Sequence, residues 1–356
     1  MSPVPRQPTI IDVARRAGYS KSAVSLVLRG ATTVSAEARQ RVLAASAELG
    51  YRPNRLARGL RMARGQVVGM IVQDAQNPYF SDLIRRVEDV LLQHDYDVII
   101  CETGQDVRRE EQALARLSGR AVDGMIVYPT DSRRLAPALV ALQAGGVHCV
   151  LLGGDGVGEG LAVDRVEVGI HDGALAAMEH LIGLGHRRLA FVAGVSPQQP
   201  IPERSGAFQS ALARHGMACS DDLIVHCGFR LQDGYEAGRE LLSRPNRPTA
   251  VFAVNDLVAI GVLRAARELG LAVPRDLSVV GVDDIELAAY LNPPLTTVAQ
   301  PIDRIAEALG DLVLSGIRAR RDPVAAPPAP RRIVLPTTLV VRGTSAPPGG
   351  APASAN

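Results

Sequence analysis

The chain has 356 residues, 47% of them hydrophobic and 21% charged, which is the balance of a globular protein of two or three domains and excludes a disordered or fibrous one. Its apolar runs, such as Ala250 to Val254, are too short to cross a bilayer. The first thirty residues hold Arg6, Asp12, Arg15, Arg16 and Lys21 with no continuous apolar segment, so neither secretion nor a membrane is expected and the cytoplasm is the expected compartment.

The net charge of +2 conceals a segregation of sign. Residues 1–65 carry eleven arginines and the only lysine, Lys21, against Asp12, Glu37 and Glu48, whereas the remainder carries 27 basic and 34 acidic residues. A bias towards arginine explains Arg over Lys but not this sorting, so a polyanionic partner is expected for the N-terminal head alone. Cys101, Cys149, Cys219 and Cys227 lie at irregular spacings in or near apolar runs, without a C-x-x-C pair or zinc spacing. They are expected to be small buried hydrophobes, and no metal or other cofactor is implied.

In chain order, residues 9–49 read as three short helices. Thr9-Ile10-Ile11-Asp12 opens the first as a capping box with Asp in place of Glu; Val13, Ala14 and Ala17 follow at helical spacing, and Gly18 ends it. Ser20 caps a second helix to about Leu28, with Val24, Val27 and Leu28 on one face and Gly30 past its end. Ser35 caps a third to Leu49, with Val42 and Leu43 turned inward and Gly50 as its stop. Two helices joined by a tight glycine-bearing turn make a helix-turn-helix. Residues 1–51 are therefore assigned to an all-α head and 52–65 to a hinge or linker.

From Gln66 short β-branched runs alternate with amphipathic helices. Strands are expected near Val67–Val72, Val98–Cys101, Gly124–Val127, Val147–Leu152, Leu189–Val192, Leu223–Val225, Ala250–Val254 and Leu277–Val282, with helices between them. About ten strands in residues 66–345 fit two doubly wound parallel-sheet α/β subdomains better than one, with a ligand in the cleft between lobes. The loop Gly153–Gly160 lacks both G-x-G-x-x-G spacing and a Lys-Ser/Thr pair, and reads as a surface loop. Residues 346–356 are Pro, Gly, Ala and Ser with Asn at the end, and read as a disordered tail.

The stretches TIIDVARRAGYSKSAVSLVLRG and VSAEARQRVLAASAELGYRPNRLARGLR resemble the N-terminal region of the LacI/GalR family of bacterial repressors. NPYFSDLIRRVEDVL, EHLIGLGHRRLAFVAG and RPTAVFAVNDLVAIGVLRAARELGLAVPRDLSVVGVDD extend the resemblance, which covers about residues 9–342. It implies a transcriptional regulator whose body is of the periplasmic-binding-protein type. It also implies that the second helix enters the major groove, with Lys21 and Ser22 at base edges and Leu26 one turn further on. Leu26 departs from the arginine of many members; an apolar contact with a thymine methyl replaces a guanine contact, and the operator sequence does not carry over. Thr9, Ser20, Ser25, Arg29 and Asn54 are expected to position phosphates.

The run YRPNRLARGLR carries Arg52, Arg55, Arg58 and Arg61 with Leu56 and Leu60, and Pro53-Asn54 is a start signal for a helix too short to hold alone in water. The resemblance implies that this hinge folds on DNA in the minor groove, with Asn54, Arg55 and Arg58 on the duplex and Leu60 wedged between base pairs. An ordinary linker leucine is the alternative.

For the effector, the resemblance points to Phe80 and Phe229 as aromatic walls, Arg204 as a donor to hydroxyl or carbonyl groups, and Asn255 and Asp283 as polar groups at strand ends. A core role for Phe80, and cap or turn roles for Asn255 and Asp283, are the alternatives. Gly169-Ile170 stands where the family often has Asp-Asn. Gln198 stands where purine-sensing members have a second arginine, so a sugar or related polyol is favoured over a purine. The implied assembly is a homodimer on a pseudo-palindromic operator, since no C-terminal leucine heptad of the tetrameric kind is present. A two-lobed sugar-binding transport protein is the rival reading, but it predicts a signal peptide and no helix-turn-helix. An enzyme is not expected: no G-x-S-x-G, H-E-x-x-H or P-loop occurs, and His186 in GLGHRR reads as a structural turn residue.

Overall fold

The computed structural model describes residues 8–28, 34–51, 65–119, 122–153, 162–194, 202–321 and 329–349. The chain divides into two compact units, Met1–Gly65 and Gln66–Asn356.

In the first unit α1 (Ile10–Ala17), α2 (Lys21–Leu28) and α3 (Ala36–Glu48) enclose a small core of Val13, Ala17, Val24, Val27, Val42 and Ala45. The box at the start of α1 closes both ways: Asp12 N donates to Thr9 Oγ1 at 3.4 Å and Thr9 N to Asp12 Oδ2 at 2.8 Å. Gly18 ends α1 at φ 75°, a left-handed conformation that a Cβ would strain. Leu43 corrects the sequence reading. The buried face of α3 follows Ala38, Val42 and Ala45, and one residue further round, about 100° on the helix, Leu43 is 50% exposed.

The second unit holds two six-stranded sheets. The first lobe is built on β1 (Val67–Val72), β2 (Asp97–Glu102), β3 (Gly124–Val127), β4 (His148–Leu152), β5 (Asp164–Gly169) and β11 (Arg332–Pro336), in the order β11-β5-β4-β3-β1-β2 and parallel throughout. The second uses β6 (Leu189–Gly194), β7 (Ile224–Cys227), β8 (Ala250–Ala253), β9 (Ser278–Asp283), β10 (Thr296–Ala299) and β12 (Thr338–Val340), in the order β12-β10-β9-β8-β6-β7. Only the β10–β12 pair in that sheet is antiparallel. Helices α4 (Pro78–Leu92), α5 (Val107–Ser118), α6 (Ser132–Ala144) and α12 (Ile302–Arg321) belong to the first lobe. Helices α7 (Ile170–Gly183), α8 (Pro202–Arg214), α9 (Leu231–Leu242), α10 (Asp256–Glu268) and the single-turn α11 (Glu286–Tyr290) belong to the second.

The described residues thus form twelve strands rather than about ten; β5 and β10 to β12, with α11 and α12, went unread in the sequence. Strand β5 interleaves Arg165 and Glu167 with valines, and the apolar run of β11 is only Ile333, Val334 and Leu335 between Arg332 and Pro336, so neither stands out.

The chain passes between lobes at 169–170, 299–302 and 336–338, and these passages are laced together. Thr337 Oγ1 donates to Gly169 O at 2.8 Å, and a Cβ on Gly173 would lie 2.2 Å from Thr337 Oγ1 and 2.4 Å from Val298. Gly169, at the Asp-Asn position of the family pattern, precedes α7 without a side-chain cap.

The expected disordered tail also needs correction at its start. Ala346 is buried, its carbonyl accepts from Ser278 Oγ at 3.0 Å, and Gly349 N donates to Arg275 O, so 346–349 are fastened to the second lobe. His186 completes that fastening from inside, with Nδ1 at 2.9 Å from Thr249 Oγ1 and Nε2 at 2.9 Å from Ala346 O. Of the cysteines, Cys149 is buried and Cys101 and Cys227 half-buried, but Cys219 is exposed, against expectation.

Candidate effector cleft and DNA-reading helix

The C-terminal ends of strands from both lobes border a cleft of about 750 Å³, the position at which parallel α/β sheets hold ligands. All five effector candidates, Phe80, Arg204, Phe229, Asn255 and Asp283, line it.

On the first lobe Asn77 caps α4, its Oδ1 accepting from Tyr79 N at 3.0 Å, and Pro78 fills the first helical position. That turn seats Tyr79 and Phe80 at the cleft. Phe80 is only 6% exposed and meets Tyr79 and Tyr128 edge-on, with centroids 5.2 and 5.3 Å away. It is core and cleft wall together.

On the second lobe Asn255 caps α10: its Oδ1 accepts from Val258 N at 2.8 Å and its Nδ2 donates to Phe229 O at 3.0 Å. The cap reading of Asn255 therefore holds, and through Phe229 O it also pins the opposite wall. Asp283 ends β9 at φ 115°, strained for a residue with a Cβ. Its Oδ1 accepts from Gln300 Nε2 at 2.8 Å and lies 4.0 Å from Arg204 Nη2. Burial lifts this carboxyl to about 6, against the opposing charge of Arg204 and the hydrogen bonds of Gln300 and Asn77. Arg204 is largely buried, and its Nε has no hydrogen-bond partner among the described residues. A buried donor left open at the wall of a cleft is suited to a ligand oxygen.

Gln300 was missed by sequence reasoning. Its Oε1 accepts from Tyr79 Oη at 3.1 Å while its Nε2 holds Asp283, so it ties α4 of one lobe to β9 of the other. Those bonds span 221 and 17 positions, and no local pattern marks it.

On the head, Ser20 Oγ accepts from Ala23 N at 3.2 Å and starts α2. Lys21 and Ser22 are exposed in its first turn, Ser25 is half-buried and Leu26 is 37% exposed. The Thr9 hydroxyl donates to Asp12 Oδ2 at 2.6 Å. Arg29, Asn54, Arg55, Arg58 and Leu60 lie outside the described residues, as do Gln198 and positions 154–160 of the glycine-rich loop.

Residues 9–54 match the family described as bacterial regulatory proteins, lacI family, and residues 178–345 match the periplasmic binding protein-like domain. The chain is 33% identical over 334 residues to the ribose operon repressor of Haemophilus influenzae, spanning 94% of this chain and 97% of that protein. It resembles the crystal structure of the lac repressor dimer bound to operator and the anti-inducer ONPF at a TM-score of 0.80 and 28% identity, over 96% of this chain and 100% of that one. A LacI family transcriptional regulator from Enterococcus faecium with bound ribose matches at 0.68 and 31% identity, over 79% and 99%.

Proposed function

Because the chain belongs to the lacI family of bacterial regulatory proteins, we propose that it is a cytoplasmic, sequence-specific repressor whose grip on a pseudo-palindromic operator is set by a sugar in the cleft. The observation that carries the sugar is the open Nε of Arg204 beside the Asp283 carboxylate, in a cleft that Phe80 and Phe229 also line. Vicinal hydroxyls both donate and accept, which suits an arginine fork set next to a carboxylate, while the C–H face of the ring packs on aromatics. The names of two relatives, a ribose operon repressor and a regulator with bound ribose, support a sugar.

In this reading Lys21, Ser22 and Leu26 meet base edges, and Ser20, Ser25, Thr9, Arg29 and Asn54 position phosphates. Arg55, Arg58 and Leu60 work in the minor groove. Two copies form a dimer, as in the lac repressor structure on its operator. Effector binding favours one separation of the lobes, which alters the spacing of the paired hinges and so the population that fits DNA. The transport-protein alternative is disfavoured by the match of residues 9–54 to DNA-binding regulators. Nor does this reading include catalysis, because the curated relative is a repressor.

A thermal-shift screen of pentoses, hexoses and nucleobases, each hit followed by an operator gel shift, tests the proposal and gives the sign of the response. A nucleobase hit with no sugar hit overturns the sugar.

A further inference from the structure

Phe229 and Asn255 fix the backbone from which a second cation crosses the cleft. Arg230 N donates to Asp233 Oδ2 at 2.9 Å, and the preceding carbonyl is held by Asn255, so the base of the Arg230 side chain is pinned at the start of α9. From there its guanidinium reaches the first lobe: Nε lies 3.3 Å from Asp74 Oδ2, Nη2 3.5 Å from Asp74 Oδ1, and Nη1 donates to Gln76 Oε1 at 3.1 Å. Asp74 is itself fixed, closing the turn after β1 by accepting from Gln76 N at 3.0 Å. Its side chain is 11% exposed against 55% for that of Arg230, so the anion is sheltered and the cation comes to it. Each end is anchored by a hydrogen bond in its own turn, and the span joins the two lobes.

We propose that Arg230 is a positioning residue, a clasp that joins the rims of the cleft through Asp74 and so sets how readily the lobes close. It acts on effector affinity through closure. The inference rests on the cleft being the effector site, but its test does not need the effector.

The full-length chain is spin-labelled at the exposed Cys219 of the second lobe and at Arg108→Cys of the first, with Cys101 and Cys227 changed to Ala, and is diluted into excess unlabelled chain so that double electron–electron resonance reads interlobe distances within one copy. Arg230→Gln lowers the ratio of short to long distances by about fivefold, the upper end for a partly exposed pair. Arg230→Glu, repelled by Asp74, lowers it further, and Arg230→Lys falls between wild type and Gln. With Asp74→Asn in place, Gln and Glu at 230 give the same distribution. Unchanged distances in Arg230→Gln overturn the clasp, as does an undiminished effect of Arg230→Glu beside Asp74→Asn. A D-ribose titration by calorimetry separates the two readings. Loss of D-ribose binding with unchanged distances makes Arg230 a ligand contact and ends the clasp. Distances that shift as stated in a chain that binds no D-ribose leave the clasp standing and count against D-ribose as the effector.

Discussion

The ring of Phe229 occupies the space that a side chain at position 194 would fill: a Cβ on Gly194 would lie 2.3 Å from its Cε1 and 2.5 Å from its Cζ. Gly194 ends β6, and Phe229 follows the paired strand β7, so the absence of one side chain creates the slot that holds the other at the cleft wall. Gly194→Ala leaves the strand intact but drives the ring out of its seat. The expected result is an effector affinity at least tenfold weaker, about 1.4 kcal/mol, with operator affinity in the absence of effector unchanged. Calorimetry and gel shift on the same preparation check both halves; equal effector affinity in the two proteins removes Phe229 from the wall.

Asp283 links the cleft to pH. Its carboxyl is held at about 6, chiefly by burial, against an ordinary value of about 3.9. As pH rises from about 4 this carboxyl ionises first in the unfolded chain, so its contribution to stability falls through the interval up to about 6 and is level above it. Two units correspond to at most about 3 kcal/mol. Asp283→Asn, which keeps a side chain tolerant of positive φ, removes this penalty. The variant melts higher than wild type at pH 7.5 and at the same temperature at pH 4, while its effector affinity falls. Matching melting curves at both pH values contradict the shift.

Asp164, which opens β5 in the first sheet, behaves in the opposite sense. Asp164 is 4% exposed; its Oδ2 lies 2.7 Å from Arg331 Nη2 and 3.2 Å from His148 Nε2, and its Oδ1 accepts from Arg331 N at 2.7 Å. Burial alone would raise this carboxyl, but the bonds from His148 and Arg331 outweigh it and hold it at about 2. The stabilisation is full above about pH 4 and is lost as pH falls towards 2, with a size of about 2 kcal/mol. Asp164→Asn loses that margin at pH 7 and leaves the pH 2 value nearly unchanged; urea titrations at the two pH values measure it.

Asp164 and Arg331 meet across 167 positions, where no local pattern in the sequence marks them. The helix-turn-helix was legible because its signals are local: Thr9 with Asp12, Gly18, and apolar positions three and four apart. The alternating body was legible where strands are fully buried, as in β3 and β8. Strands β5 and β11 were not: Arg165 and Glu167 make β5 read as polar, the apolar run of β11 is only three residues long, and the Arg332–Glu167 contact at 2.6 Å that joins them spans 165 positions. Helix α12 was hidden for a related reason. Gly310 and Gly316 interrupt its apolar face, yet each admits a partner, Val90 and the ring of His148, which would stand 2.4 Å and 2.1 Å from an added Cβ. Of the site, aromatic and charged residues inside family-like motifs were found; Gln300 and the Asp74–Arg230 span, defined only by contacts between lobes, were not.

The head supplies the last expectation. Leu60 lies in the arginine-rich run of residues 52–64, outside the described residues, and is assigned a wedge between base pairs at the operator centre. A wedge acts only where the duplex is kinked at the specific site, whereas arginines act wherever phosphates are. Leu60→Ala therefore weakens specific operator binding by more than tenfold, above about 1.4 kcal/mol, and leaves nonspecific binding almost unaltered. Lys21→Ala at the exposed first turn of α2 weakens specific binding too, but changes which base is preferred at its contact. Arg58→Ala lowers both kinds of binding and flattens the dependence on salt by about one counterion. Gel-shift titrations against the selected operator and a scrambled duplex, at several salt concentrations, separate the three. A Leu60→Ala chain that binds its operator as tightly as wild type returns that leucine to the linker.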